Sequence, residues 1–238
     1  MKQPRVPAGQ TGGGQWTDSG RAAGFPPDSV LRGAGSELNN PLSVTRAMED
    51  RVPIDDATKR ALYAYIAYDD YRPMNRAMRE HPRKYADMFR DSDPEDLSGP
   101  IGAFDYGPSN QDMARIQDVL MEPLDAPVLV YRQTDLSEKN IAKLIPGATI
   151  RVAGFSSTSL SPTTATEFPG KYLLEIRANQ GRYLDQSAEQ EFLLPHGAKF
   201  RVVGRRTVKV RSNSGRMYGH KEAPIVEREI IQLEQEEI

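Results

Sequence analysis

The chain has 238 residues, 38% hydrophobic and 27% charged, with 31 basic and 33 acidic side chains and a formal net charge of −2. That length is ample for a real core, and the near-neutral balance lacks the basic excess typical of bulk nucleic-acid binding. With no cysteine, disulfides, thiolate nucleophiles and zinc–thiolate sites are all removed. The three histidines, His81, His196 and His220, stand far apart and at no metal-ligand spacing.

Eight of the 19 glycines fall within residues 1–35, and the run from Pro7 to Trp16 holds almost nothing to bury. Residues 1–40 therefore read as a flexible arm, and residues 41–238 as the domain proper. Trp16, the only tryptophan, is either an anchor for this arm or an exposed residue within it. Met1-Lys2-Gln3-Pro4-Arg5 leads into glycine, glutamine and threonine, so no secretory signal is expected. No apolar run approaches the roughly 18–20 residues that cross a bilayer.

Helix is predicted over 55–80, where Ala61, Leu62, Tyr65, Ile66 and Tyr68 recur at three- and four-residue steps. Pro73 either kinks this helix or lies in the first turn of a second one. Pro82 ends the region, a short helix is expected over 83–89, and a glycine- and proline-rich loop runs from Ser98 to Pro108. An amphipathic helix over 110–121 carries Met113, Ile116, Val119 and Leu120 on one side.

From about residue 126 the period changes. Strands are predicted at 128–132, 149–159, 172–177, 199–210 and 225–233, with a short helix at 137–144 capped by Ser137. The basic side chains of 201–211 alternate with Val202, Val203, Val208 and Val210 and read as a solvated strand face. The stretch from Arg211 to Pro224 reads as a long polar loop. Helices to about 125 followed by strands indicate an α+β fold rather than βαβ units. No glycine-rich dinucleotide fingerprint follows a strand.

Three features of the β half carry candidate chemistry. Arg132 closes an apolar strand, where a guanidinium can grip a phosphate with two parallel hydrogen bonds. Ser156-Ser157-Thr158-Ser159 places four consecutive hydroxyls after Gly154-Phe155, with no nucleophile elbow around them. Glu189 and Glu191 precede Phe192-Leu193-Leu194. If Glu191 opens a strand, both carboxylates face one way and their repulsion tends to raise one pKa.

The hydroxyls follow the arginine by about 25 residues and the Glu-x-Glu follows them by about 30. In this order VYRQT, GFSSTS and EQEFLLPHGAKFRVV resemble the Arg–Ser–Glu class of mono-ADP-ribosyltransferases, which includes binary actin-modifying toxins and bacteriophage enzymes. Tyr71-Arg72-Pro73-Met74-Asn75-Arg76-Ala77-Met78-Arg79 is similar to that family's Tyr-x-x-x-Asn-x-x-x-Arg helix. The resemblance covers roughly residues 45–233. It implies a helical part over about 41–125 packed on a mixed or antiparallel two-sheet β core over about 126–238.

The resemblance also implies roles. Arg132 would bind the phosphates of NAD, which is a substrate here, with no metal involved. Ser157 would hydrogen-bond Glu191 and steady the nicotinamide pocket, with Thr158 and Ser159 completing the hydroxyl motif of the NAD site. Glu191 would bind the 2′-hydroxyl of the nicotinamide ribose, and Glu189 would orient an acceptor arginine. Phe168 would clamp nicotinamide, and Tyr71 and Asn75 would line the NAD site. Two positions depart from the pattern: Gln133 stands where toxins often carry a second arginine, and Lys171 where they often carry arginine.

The implied activity is transfer of ADP-ribose from NAD to an arginine of a target protein, with release of nicotinamide. NAD hydrolysis, or a bacteriophage head-associated structural role, is the alternative. Expected partners are the target protein and, further off, a phage particle or an immunity protein; no membrane is involved and nucleic acid is disfavoured. The expected location is the cytoplasm of the producing or target cell, reached from a virion or without a signal peptide.

Overall fold

The computed structural model describes residues 54–67, 71–91, 109–166, 168–184, 191–211 and 225–236. The expected arm with Trp16, the loop at 98–108, Glu189 and most of the loop at 211–224 lie outside them.

The first helix, α1 (Asp56–Ala67), begins where the Asp55 carboxylate accepts a hydrogen bond from Thr58 N at 2.6 Å. Of the two alternatives that Pro73 leaves open, the structure takes the second helix. α2 (Tyr71–Glu80) holds Pro73 in its first turn, where a missing N–H costs nothing. The preceding helix stops at Glu80, and Pro82 opens the expected further short helix, α3 (Pro82–Asp91), for the same reason. α4 (Asn110–Met121) starts with a capping box: Ser109 Oγ accepts from Asp112 N at 3.0 Å, and the Asp112 carboxylate accepts from Ser109 N at 3.1 Å. Tyr65, Met74, Met78, Met113, Ile116 and Leu120 gather these helices into one layer over Phe155, Leu184 and Leu193. No helix among the described residues is long and apolar enough to cross a membrane.

Eight strands follow: β1 (Pro123–Thr134), β2 (Thr149–Arg151), β3 (Ser156–Ser159), β4 (Tyr172–Gln180), β5 (Arg182–Leu184), β6 (Glu191–Leu194), β7 (Lys199–Arg211) and β8 (Ile225–Gln235). Ser137 caps the short α5 (Glu138–Ile141), and α6 (Pro162–Ala165) follows β3. The predicted strand at 149–159 is broken into β2 and β3. The three-residue β5 and the one-turn α6 have no counterpart among the predicted elements.

The sheet order is β2-β7-β8-β4-β1-β3-β6-β5. Every neighbouring pair is antiparallel except β4 with β8. Val130 of β1, Phe192 and Leu194 of β6, Phe200 and Val202 of β7 and Leu233 of β8 share one buried cluster. Strands so far apart in the order can meet only if the sheet curls over on itself, which yields the two packed halves of the expected α+β core. Each such fully buried side chain contributes roughly 1.5–3 kcal/mol.

A bulge between Val202 and Gly204 rephases β7 against β8. Before it, Phe200 and Val202 point into the cluster inside the curl; after it, Val208 points to a separate cluster on the other face. Arg206 is turned inward with Val208. The expected solvated basic face is therefore only partly present. Arg201 and Arg205 pair with Glu234 and Glu229, but the Arg206 Nη2 reaches both carboxylate oxygens of Glu175 at 3.0 and 2.8 Å. Glu175 is fully buried and also accepts from Gln232 Nε2 at 2.9 Å.

His196 joins the helical layer to the sheet. Its backbone N–H and C=O both bond the Gln117 side chain of α4, its ring meets Phe89 of α3 edge-on, and its Nδ1 accepts from Gly154 N at 2.8 Å. Burial, and then the charge of Arg151, lower its pKa to about 4 against an opposing hydrogen bond to the Pro82 backbone.

Two stability measurements follow. Arg206→Met strands a buried carboxylate and is expected to lower unfolding free energy by about 3–5 kcal/mol in urea titration. As pH falls from about 6.5 to about 4, the unfolded chain protonates His196 while the folded one does not, so stability falls across that window. His196→Gln is expected to flatten the profile there, as urea midpoints at several pH values will report.

Candidate active site

The site is assembled where β1 and β3 part. They are paired at a single position, Tyr131↔Ser159, so the next residues along both strands are free of ladder hydrogen bonds to each other. Arg132 uses that gap: its Nη1 donates to the Ser157 backbone oxygen at 2.6 Å. β3 then pairs with β6 over four residues, from Ser156↔Leu194 to Ser159↔Glu191. Glu191 opens β6, the condition left open in the sequence, and is 7% exposed. Side chains alternate along β6: Phe192 and Leu194 enter the cluster inside the curl, while Leu193, and with it Glu191, faces the helical layer. Ser157 Oγ donates to Glu191 Oε1. One residue thus holds the guanidinium on its backbone and the carboxylate on its hydroxyl.

The helical layer supplies the opposite wall. Asn75 is buried and its Nδ2 donates to Tyr65 Oη at 3.0 Å. Tyr65 stacks edge-on against Tyr71 and Phe155, with ring centroids 6.1 and 5.8 Å away. Burial pushes the Tyr65 phenol well above its ordinary value, with the Asn75 bond opposing and Glu191 adding to the rise. Tyr65 therefore keeps its proton at neutral pH. Burial lowers the Arg132 guanidinium from its ordinary value, Arg79 pushes the same way, and Tyr65 and Glu191 oppose. Tyr65 and Arg132 therefore each feel the other and the charges of Glu191 and Arg79. Gly154 closes the wall. Its φ is +89°, and a Cβ there would lie 2.7 Å from Asn75 Oδ1.

Of the predicted residues, Arg132, Ser157, Glu191, Tyr71 and Asn75 converge on this crevice. Thr158 and Ser159 frame it from behind. Thr158 Oγ1 donates to the Phe192 carbonyl at 2.5 Å, and Ser159 Oγ accepts from Ser161 N at 3.0 Å, both within buried residues. Phe168 stands 43% exposed in the loop after α6. Lys171 is also exposed, its Nζ 5.4 Å from the centre of the Tyr172 ring. Tyr65 was absent from the expected set. It shares a helix face with Ala61 and Leu62, and nothing in that pattern separates a site residue from a core residue. The third position of the Tyr-x-x-x-Asn-x-x-x-Arg pattern, Arg79, was a usable signal that no role had been attached to.

The chain matches the family model described as "ADP-ribosyltransferase exoenzyme" over residues 36–228. A search of curated proteins gives no match. Among solved structures it is similar to the enzymatic component C2-I of the C2-toxin from Clostridium botulinum at pH 6.1, with 17% identity and a TM-score of 0.58, over 89% of this chain and 50% of that one. It is also similar to C3stau2 from S. aureus, solved with NAD, with 16% identity and a TM-score of 0.54, over 88% of this chain and 100% of that one. C3larvin toxin from Paenibacillus larvae gives 17% identity and a TM-score of 0.51, over 85% of this chain and 96% of that one. The chain thus spans about half the length of C2-I and all of C3stau2. At these identities the structures establish a common fold, and it is the family match across most of the sequence that establishes kinship: the chain belongs to the ADP-ribosyltransferase exoenzyme family.

Proposed function

We propose that this protein splits NAD at the bond between nicotinamide and ribose and transfers ADP-ribose to an arginine of a target protein. The observation that carries the proposal is the convergence of Arg132 and Glu191 on Ser157. Structural similarity to C3stau2, a protein solved with NAD, supports the choice of dinucleotide.

Breaking the nicotinamide–ribose bond leaves positive charge on the sugar, as in glycoside cleavage. Nicotinamide leaves as a neutral molecule, so no general acid is required. What the protein must supply is a fixed negative charge that matters more in the transition state than in bound NAD. An ionised Glu191 hydrogen-bonded to the ribose 2′-hydroxyl does this, and the Ser157 hydroxyl fixes its orientation. Arg132 offers charge-assisted donors to the phosphates. Neutral, buried Tyr65 adds bulk and a polar tip to the opposite wall without adding charge that would compete with Glu191.

The choice of arginine as acceptor rests on Glu189, two residues before Glu191, since an acid there resembles family members that modify arginine. A guanidinium has a pKa above about 12 and is a poor nucleophile until it is held and oriented. A carboxylate at 189 can pair with it and aim one nitrogen at the sugar.

Purified protein incubated with NAD and host lysate is expected to release nicotinamide and leave ADP-ribose on arginine, detected by mass spectrometry. Free ADP-ribose without labelled protein would instead make the chain a hydrolase. Glu191→Gln is expected to lower kcat by about 10²-fold or more while leaving NAD affinity nearly unchanged; near-normal turnover would remove Glu191 from the chemistry. Glu189→Gln is expected to lose transfer to arginine while retaining NAD hydrolysis, whereas equal loss of both would tie Glu189 to NAD itself.

A further inference from the structure

We propose that Gln133 is a positioning residue: it fixes the loop that carries Phe168, so that the ring is presented as a preformed stacking surface for nicotinamide. The proposal rests on the NAD reading above.

Arg132 and Gln133 are neighbours at the end of β1 and leave the strand on opposite sides. Arg132 turns to Ser157; Gln133, only 8% exposed, donates from Nε2 to the Phe168 carbonyl at 2.5 Å. The Gln133 Oε1 is buried with no hydrogen-bond partner. Burying an amide with one end unsatisfied carries a desolvation cost, so the bond made by the other end is what the buried side chain contributes. The next two residues of the chain hold the same loop. At Gly170, φ +156°, a Cβ would lie 2.6 Å from Thr134 N and 2.8 Å from Thr134 C, so the loop backbone lies directly on the strand. Asp135 Oδ1 accepts from Lys171 N at 2.9 Å. Residues 133, 134 and 135 therefore secure positions 168, 170 and 171 in turn.

The Phe168 ring is left free by the same arrangement. It is one of three large hydrophobic side chains exposed among the described residues, at 43%. An exposed ring whose backbone is held loses little conformational freedom when a flat ligand stacks on it. Because Arg132 and Gln133 are adjacent, one strand end sets the spacing between the phosphate grip and the aromatic surface.

The test is a double-mutant cycle on nicotinamide release, with hydrogen exchange of the loop as a second readout. Gln133→Met keeps the length and apolar stem and removes the donor. It is expected to raise KM for NAD about tenfold, the scale of one net hydrogen bond, with kcat within about twofold. Phe168→Ala is expected to do the same, and the double variant to be no worse than Phe168→Ala alone. Amides of residues 168–171 are expected to exchange faster in Gln133→Met than in the unchanged protein. Asp135→Ala, at an exposed position, loosens the loop from outside and is expected to raise KM in the same sense. Additive effects in the cycle, or an unchanged KM and unchanged exchange in Gln133→Met while Phe168→Ala is impaired, would overturn the proposal. If the unchanged protein releases no nicotinamide, the NAD reading fails instead, and the exchange measurement still decides whether Gln133 holds the loop.

Discussion

Ser157 makes two hydrogen bonds that between them define the crevice: its backbone oxygen takes the Arg132 guanidinium and its hydroxyl is given to Glu191. The serine between Arg132 and Glu191 thus engages the cation through its backbone and the anion through its side chain. A cation and an anion are thereby held on one residue, which in the proposed reading suits a dinucleotide with negative phosphates and an incipiently positive sugar. The backbone half of this device depends on the parting of β1 and β3 after one paired position. The side-chain half depends on β6 starting at residue 191 and not one residue later.

The opposite wall is held less by charge than by packing. Tyr65 is fixed from three sides by Asn75, Tyr71 and Phe155. Asn75 in turn needs Gly154, whose bare Cα admits its side-chain oxygen. Gly154 is anchored through its N–H to His196, and His196 through its backbone to Gln117 on α4. The chain of contacts runs from the crevice to the far side of the helical layer without leaving buried polar groups and aromatic rings. The geometry of the helical wall is thereby set by the same residues that fasten helices to sheet.

How much of this could be read beforehand differs by residue. The meeting of Arg132, Ser157 and Glu191 was legible because the order of their motifs resembles that of a known family. The division between helices and strands was legible from hydrophobic period. Pro73 posed the right alternative, and the structure takes the second helix. Tyr65 was hidden because a residue facing the core and a residue facing a crevice lined by that core share one helical period. Arg206 was misread because period-two reasoning assumes an unbroken strand, and the bulge at Val202–Gly204 inverts which side chains point inward. Gln133 was noticed only as a missing arginine; its bond to a carbonyl 35 positions away leaves no local trace.

The single parallel ladder, β4 with β8, has a consequence for how the molecule is made. Among the described strands β8 alone joins β2 and β7 to the rest of the sheet, since the order runs β2-β7-β8-β4. Residues 225–235 are the last of the described strands to emerge during synthesis. Until they do, β7 has no central neighbour and Glu175 on β4 lacks both Arg206, held on β7, and Gln232. Closure of the sheet therefore waits, with β2 and β7 apart from the other strands, for residues 225–235 to be threaded between β7 and β4. Such late, long-range closure makes for slow acquisition of the native state and a period of exposure to edge-to-edge association.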